Sequence, residues 1–199
     1  MSRPNLRERQ KADTRAALVA AAAEVFADQG YGQTTIDDLA THAGTSRATF
    51  YLHFASKAEA TTAVIDDVRA RAAAWAAELP SPAVTRDDVE VVVRSWVDFY
   101  RANLSWFRVW YEASAVEPGL DPGVRATGSG VVAQLLGHPV TQANPQADVV
   151  ASATFSMLDR LLYGSLVQGW AVAEDDLVDE VVDAWHGYFL PRLRALLPG

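Results

Sequence analysis

The sequence of 199 residues predicts an all-α protein in two parts, an N-terminal three-helix domain built as a helix-turn-helix and a larger C-terminal helical domain. Three observations predict it. Apolar residues return at intervals of three and four along most of the chain, no stretch alternates as a strand does, and Pro80-Ser81-Pro82 breaks one helical run from the next. The functional boundary is expected between residues 55 and 56, giving domains over 1–55 and 56–199.

The first helix is expected from Asp13 to Asp28, with Leu18, Ala22, Val25 and Phe26 forming one stripe. "QGYGQTT" supplies glycines to stop it and threonines to start another. The second helix spans roughly Ile36 to Ala43, with Ile36, Leu39, Ala40 and Ala43 on one face. "GTS" follows as a tight turn in which Gly44 readily takes a left-handed conformation. A short third helix, Arg47 to Leu52, starts at Ser46 as N-cap. Helix, tight turn with glycine, helix is the outline of a helix-turn-helix.

"FASKAEA" opens a fourth helix through a Ser56–Glu59 capping box, running to Leu79 before the Pro-rich break. The next, "DDVEVVVRSWVDFYRAN", sets Val89, Val92, Val93, Trp96, Phe99 and Tyr100 inward, with Glu90, Arg94, Asp98 and Arg101 opposite. Residues 105–116 read as helix, and Asp121-Pro122 as the N-cap and first position of another that Gly128 and Gly130 weaken. "GHPVTQANP" is a loop. From Gln146 to Ala173 only Asp148, Asp159 and Arg160 are charged, so a helix there is covered on more than one side. The last helix carries Val178, Val181, Val182, Trp185, Tyr188 and Phe189 in a stripe, with Asp179, Glu180 and Asp183 outside it.

Composition narrows the classes. Half of the residues are hydrophobic and 21% charged, which suits a folded domain with a filled core. With no cysteine there is neither a disulfide framework nor thiolate chemistry. No uncharged run reaches the roughly 18 residues of a membrane span, and the cytoplasm is the expected location. The formal net charge is -8. It is unevenly placed: residues 1–15 carry a net +3, residues 1–60 are neutral, and the whole acidic excess lies beyond residue 60. Because phosphate neutralisation is local and screened over about 10 Å, an acidic sum is compatible with a nucleic-acid face at the N-terminus.

Residues 34–60, "TTIDDLATHAGTSRATFYLHFASKAEA", resemble the N-terminal DNA-binding segment of TetR-family transcriptional regulators. The resemblance runs from residue 10 to residue 60 and includes the Ala-rich first helix ending in "FADQGYGQTT" and the closing "TFYLHFASK". It implies a double-stranded DNA operator as partner, with the short third helix in the major groove. Arg47, in its first turn, has the fork that binds guanine O6 and N7. Thr35, Thr45, Ser46 and Thr49 are short donors for phosphates or a thymine methyl. The resemblance suggests phosphate contacts for Tyr51 and His53, and Lys57 adds a positive charge at a helix start. Each has a structural alternative: Ser46 and Thr35 cap helices, His53 packs, Arg47 is a solvated charge, the basic arm is a tail. Phe50 and Phe54 read as core.

All six Trp lie beyond residue 60. Trp96, Phe99, Tyr100, Phe107, Trp110 and Tyr111 suit the aromatic wall of a small-molecule site as well as they suit a core, and Asp159 and Arg160, which interrupt an apolar helix, read as a buried pair, as a polar contact of the pocket or as part of the dimer seam. The resemblance implies a small, largely apolar effector and a homodimer formed through the last two helices, as a palindromic operator requires. A repressor released by its ligand is expected, with an activator, or an interaction module whose DNA-binding head is vestigial, as alternatives. No cofactor or metal is expected. Catalysis is not expected either: "GSGVVA" at 128–133 follows no strand, and His42, His53, His138 and His186 lack metal-motif spacing.

Overall fold

A computed structural model describes residues 5–79, 82, 85–117, 120, 124–137 and 144–197. Every regular element among them is helical: α1 (Leu6–Gln29), α2 (Ile36–His42), α3 (Arg47–Tyr51), α4 (Lys57–Ala77), α5 (Arg86–Ala102), α6 (Leu104–Val116), α7 (Val124–Leu136), α8 (Pro145–Leu166), α9 (Glu174–Ala184), a π-helical turn (Trp185–Phe189) and α10 (Leu190–Leu196). The chain divides into two compact units. One holds residues 1–68 and 105–121, the other 69–104 and 122–199.

The first unit is built on α1, α2 and α3. Leu18, Ala22, Val25 and Phe26 of α1 close with Leu39 and Ala40 of α2 and with Phe50 and Phe54 around α3, all at most 5% exposed. Burying one such phenylalanine side chain stabilises by about 2–3 kcal/mol, so the stripe and the two aromatics anchor a helix of only five residues. Gly44 stands at φ +66° in the turn, and a Cβ there would meet nothing within 4 Å, so backbone freedom alone explains the glycine.

Helix α1 starts at Leu6, about two turns before the expected Asp13. Asn5 and Glu8 form a reciprocal capping box, Glu8 N–H to Asn5 Oδ1 at 2.9 Å and Asn5 N–H to Glu8 Oε2 at 2.8 Å, which fixes the first turn of a segment without apolar periodicity. At α4, Glu59 N–H bonds Ser56 Oγ as expected, but the Glu59 carboxylate accepts from Ala55 N–H rather than Ser56. That helix ends at Ala77, ahead of the expected Leu79.

In the second unit, α5 buries Val89, Val92, Val93, Trp96, Val97 and Tyr100. The charged faces of α5 and α9 meet in a ladder: Arg86 with Asp179 and Asp183, Arg94 with Asp175, Arg101 with Glu174. Helix α7 continues through Gly128 and Gly130, and its expected start at Asp121-Pro122 lies outside the described residues.

Two expectations are corrected here. The apolar run from Gln146 to Ala173 is not one helix, because α8 ends at Leu166. Gly169, at φ +72°, turns the chain so that Trp170 folds back over Gly164, where a Cβ would lie 2.4 Å from the indole. The final stripe also breaks. In the π-helical turn Leu190 N–H bonds the Trp185 carbonyl, which inserts one residue into the helix. Trp185 stays buried, with its indole N–H on the Thr154 carbonyl at 3.1 Å, and the next fully buried residues are Leu190 and Leu193. The phase shift turns Tyr188 outward, 60% exposed, where the 3.6-residue period expects it inside.

Candidate nucleic-acid interface

Helix α2 begins at Thr35, whose hydroxyl oxygen accepts from Asp38 N–H while the Asp38 carboxylate accepts from the Thr35 N–H at 2.8 Å. The Thr35 hydroxyl also donates to Asp38 Oδ2 at 2.6 Å, and these bonds hold the Asp38 carboxyl below the usual carboxylate range. Ser46 caps α3 in the same manner, accepting from Thr49 N–H at 3.1 Å, with the two hydroxyls 2.9 Å apart. Both caps are exposed. Capping and contact with a ligand are therefore compatible at Thr35 and Ser46. Thr45 anchors the turn through its N–H on the Ala40 carbonyl at 2.9 Å.

Arg47 stands exposed on the first turn of α3. Its Nη1 donates to Asp37 Oδ2 of α2 at 2.8 Å, and its guanidinium lies 5.6 Å from the centre of the Tyr51 ring. Tyr51 is 47% exposed and the following Leu52 75% exposed. Behind them Phe50 and Phe54 are sealed, as the sequence leads one to expect. The short helix thus shows solvent Ser46, Arg47, Ala48 and Tyr51 while its aromatic back is fixed in the core. His53 is half-buried, and its Nδ1 is shut off from solvent without a hydrogen-bond partner.

Lys57 is placed differently from a freely solvated cation. Its ammonium donates to the Tyr31 carbonyl at 2.7 Å and the Thr34 carbonyl at 2.9 Å, and lies 4.1 Å from the centre of the Tyr31 ring. Burial lowers its pKa, opposed by the charge of Glu117. Helix α6 and the residue that follows it complete the cluster, Glu112 accepting from Tyr31 N–H at 2.8 Å and Glu117 from the Tyr31 phenol at 2.7 Å. Sequence reasoning missed this cluster. Partners 81 and 86 residues apart leave no local signal.

The aromatic residues offered for a ligand fall to both units, and each set is packed within its own. In the second, Trp96 stacks on Phe99 at 5.1 Å and meets Trp75 and Phe155 at 4.8 Å, while Tyr100 is fully buried. In the first, Trp110 lies beside Trp106 and Tyr111, and Phe107 against Trp106. Asp159 is buried, but Arg160 is exposed, stacked on Tyr163 and Trp170 and bonded to Gln168. The two are not an isolated buried pair.

A short exposed helix, capped at its start and held from behind by buried aromatics, next to a second capped helix, defines a helix-turn-helix protein. Residues 18–60 match the family model described as "Bacterial regulatory proteins, tetR family". The chain is 31% identical over 101 residues to the HTH-type transcriptional activator FasR of Mycolicibacterium smegmatis, covering 50% of this chain and 46% of that protein. It is 35% identical over 60 residues to the HTH-type transcriptional repressor BepR of Brucella suis, covering 30% and 29%. The matches thus span less than half the length of these curated relatives. Its fold matches that of the regulator FadR from Bacillus subtilis, solved in complex with stearoyl-CoA, with a TM-score of 0.62 at 14% identity, covering 85% of this chain and 96% of that one. Residues 18–60 thus carry the DNA-binding segment of TetR-family transcriptional regulators, and the chain has the fold of solved TetR-family structures.

Proposed function

We propose that the protein is a homodimeric repressor that binds a palindromic operator and is released by a small, largely apolar ligand. The observation that supports the DNA-binding part is the exposed Arg47 on α3, a helix held in place by the buried Phe50 and by Phe54 just beyond it. Arg47 would exchange Asp37 for a guanine edge, and Thr35, Thr45, Ser46, Thr49, Tyr51 and His53 would meet backbone phosphates or a thymine methyl. Lys57 would hold the α1–α2 loop in place and turn its remaining N–H toward a phosphate. The functional boundary lies between residues 55 and 56.

Dimerisation through the last helices is supported by apolar residues left in solvent, Val149 on α8 (62% exposed) and Tyr188 of the π-helical turn. A twofold dimer supplies two recognition helices at the spacing of successive major grooves. In the second unit, Trp96, Phe99 and Tyr100 are the aromatic wall assigned to the ligand. The stearoyl-CoA bound by the Bacillus subtilis regulator makes long acyl thioesters the first class to test. In this reading the protein works in the cytoplasm and carries no catalysis. The name of the Mycolicibacterium smegmatis relative favours a second reading, activation, with the same DNA contacts.

The test is binding of the purified protein to the intergenic DNA beside its own gene, with random DNA as competitor and transcription from that promoter in parallel. Specific binding with reduced transcription supports the repressor; specific binding with raised transcription selects the activator. Binding no tighter than to random DNA overturns both for that operator.

A further inference from the structure

We infer that α1 supplies a second DNA contact, a seat for the phosphodiester backbone flanking the bases read by α3. Arg7, Gln10, Lys11 and Thr14 follow one another at the i, i+3, i+4 and i+7 positions of one helix face. That face lines an open groove of about 580 Å³. Its remaining lining includes Leu52 and His53, the two residues that directly follow the recognition helix. A strand leaving the exposed face at Tyr51 therefore meets the groove without a break. The inference rests on the DNA-binding reading of α3 and extends it to a surface that the helix-turn-helix does not contain.

Chemistry selects the occupant. Arg7, Gln10 and Lys11 are exposed, and among the described residues neither cation is drawn into an ion pair. The acid among the lining residues, Glu8, is committed to the cap at Asn5. That same cap winds the first turns into helix, so Arg7 and Lys11 stand on an ordered surface and lose less freedom on binding than they would on a tail. The groove is thus a cationic edge in a chain whose acidic excess lies beyond residue 60. Gln10 adds an amide donor, and the Thr14 hydroxyl is already spent on the Gln10 carbonyl at 2.9 Å. Leu52, 75% exposed, offers an apolar surface to a deoxyribose. Such a set binds a polyanion by charge and shape and does not discriminate bases.

The experiment compares the full-length wild type with the double variant Arg7→Ala/Lys11→Ala and the charge-keeping Arg7→Lys/Lys11→Arg. Each is titrated with a duplex selected from random DNA by the wild type, and with a scrambled duplex, from 50 to 300 mM salt. Circular dichroism checks that each variant is folded. Loss of two phosphate contacts lowers the slope of log K against log salt by about two units, with the ratio of selected to scrambled affinity within about twofold of wild type. The charge-keeping variant retains the wild-type slope. A duplex trimmed at both flanks erases the difference between wild type and the alanine variant. An unchanged slope with site preference intact overturns the α1 seat alone. Failure of the wild type to select any duplex overturns the DNA-binding reading, and a slope that drops on scrambled DNA would then still report on the groove.

Discussion

The Lys57 ammonium lies 2.7 Å from the carbonyl oxygen of Tyr31 and 4.1 Å from the centre of the same residue's ring. With the Thr34 carbonyl as a second acceptor, this cation ties the first turn of α4 to the loop that joins α1 to α2. Hydrogen bonds to a charged group contribute about 1.5–3 kcal/mol, and a partly exposed ammonium belongs at the lower end. Lys57→Ala is expected to lower stability by about 2 kcal/mol in urea titration. If Lys57 also reaches a phosphate, the salt slope of DNA binding falls by about one unit. A variant of unchanged stability would show that the two carbonyls are satisfied equally well by water.

Tyr31 makes the cluster sensitive to alkaline pH. Burial raises its phenol above the ordinary value near 10, and the hydrogen bond and charge of Glu117 act in the same direction. The folded chain therefore holds this proton more tightly than the unfolded chain. The resulting stability is fully present below about pH 10 and is lost as pH rises through that value toward the folded one. Lys57 works in the opposite sense, since its lowered pKa makes the unfolded chain the tighter proton binder. Tyr31→Phe isolates the phenol because Lys57 is common to both proteins. At pH 8 the variant is expected to be less stable by about 1–2 kcal/mol through loss of the bond to Glu117. From pH 9 to 11 the gap should narrow, and urea midpoints that stay parallel over that range would contradict the buried-phenol account.

Gly30 tests how tightly α6 holds the loop. Its φ of +80° and ψ of 157° lie in a region open almost only to glycine, and a Cβ there would stand 2.9 Å from Glu112 Oε2. Gly30→Ala is expected to cost about 1–3 kcal/mol. Gly32→Ala, two residues on with nothing within 4 Å, should cost far less. Adding Glu112→Ala to Gly30→Ala removes the crowding but leaves the backbone strain, and Glu112→Ala alone accounts for the lost bond to Tyr31 N–H. Thermal unfolding of these variants separates the two costs, and equal losses at positions 30 and 32 would mean that neither operates.

The limits of the sequence reading have local physical causes. The stripe of α1, the Thr35 and Ser46 caps and the buried Phe50 and Phe54 were legible because each depends on neighbours within four residues. The first turns of α1 carry the Asn5–Glu8 cap but no apolar period, and a reading led by periodicity passes over them. The π-helical turn has no residue pattern of its own, so Tyr188 was assigned to the wrong side. At the candidate interface, residue types and order identified Arg47 and Lys57. Their partners, Asp37 across a turn and the carbonyls of Tyr31 and Thr34, depend on tertiary packing.

Asp37 is the negative charge that a DNA strand must displace to engage Arg47. The pair is exposed on both sides, with side-chain accessibilities of 56% and 62%, so its strength is that of a surface ion pair, about 0.2–1 kcal/mol. Asp37→Asn keeps the shape and removes the charge. It is expected to tighten binding to the selected duplex by about two- to fivefold at low salt, with the gain shrinking as salt rises. Two causes would give that gain, release of Arg47 and relief of repulsion between Asp37 and phosphates. A double-mutant cycle with Arg47→Ala separates them. If Asp37 acts by occupying Arg47, its substitution gains little once the arginine is gone. An undiminished gain in the Arg47→Ala background would assign the effect to the charge of Asp37 alone and leave Arg47 free to reach the groove unaided.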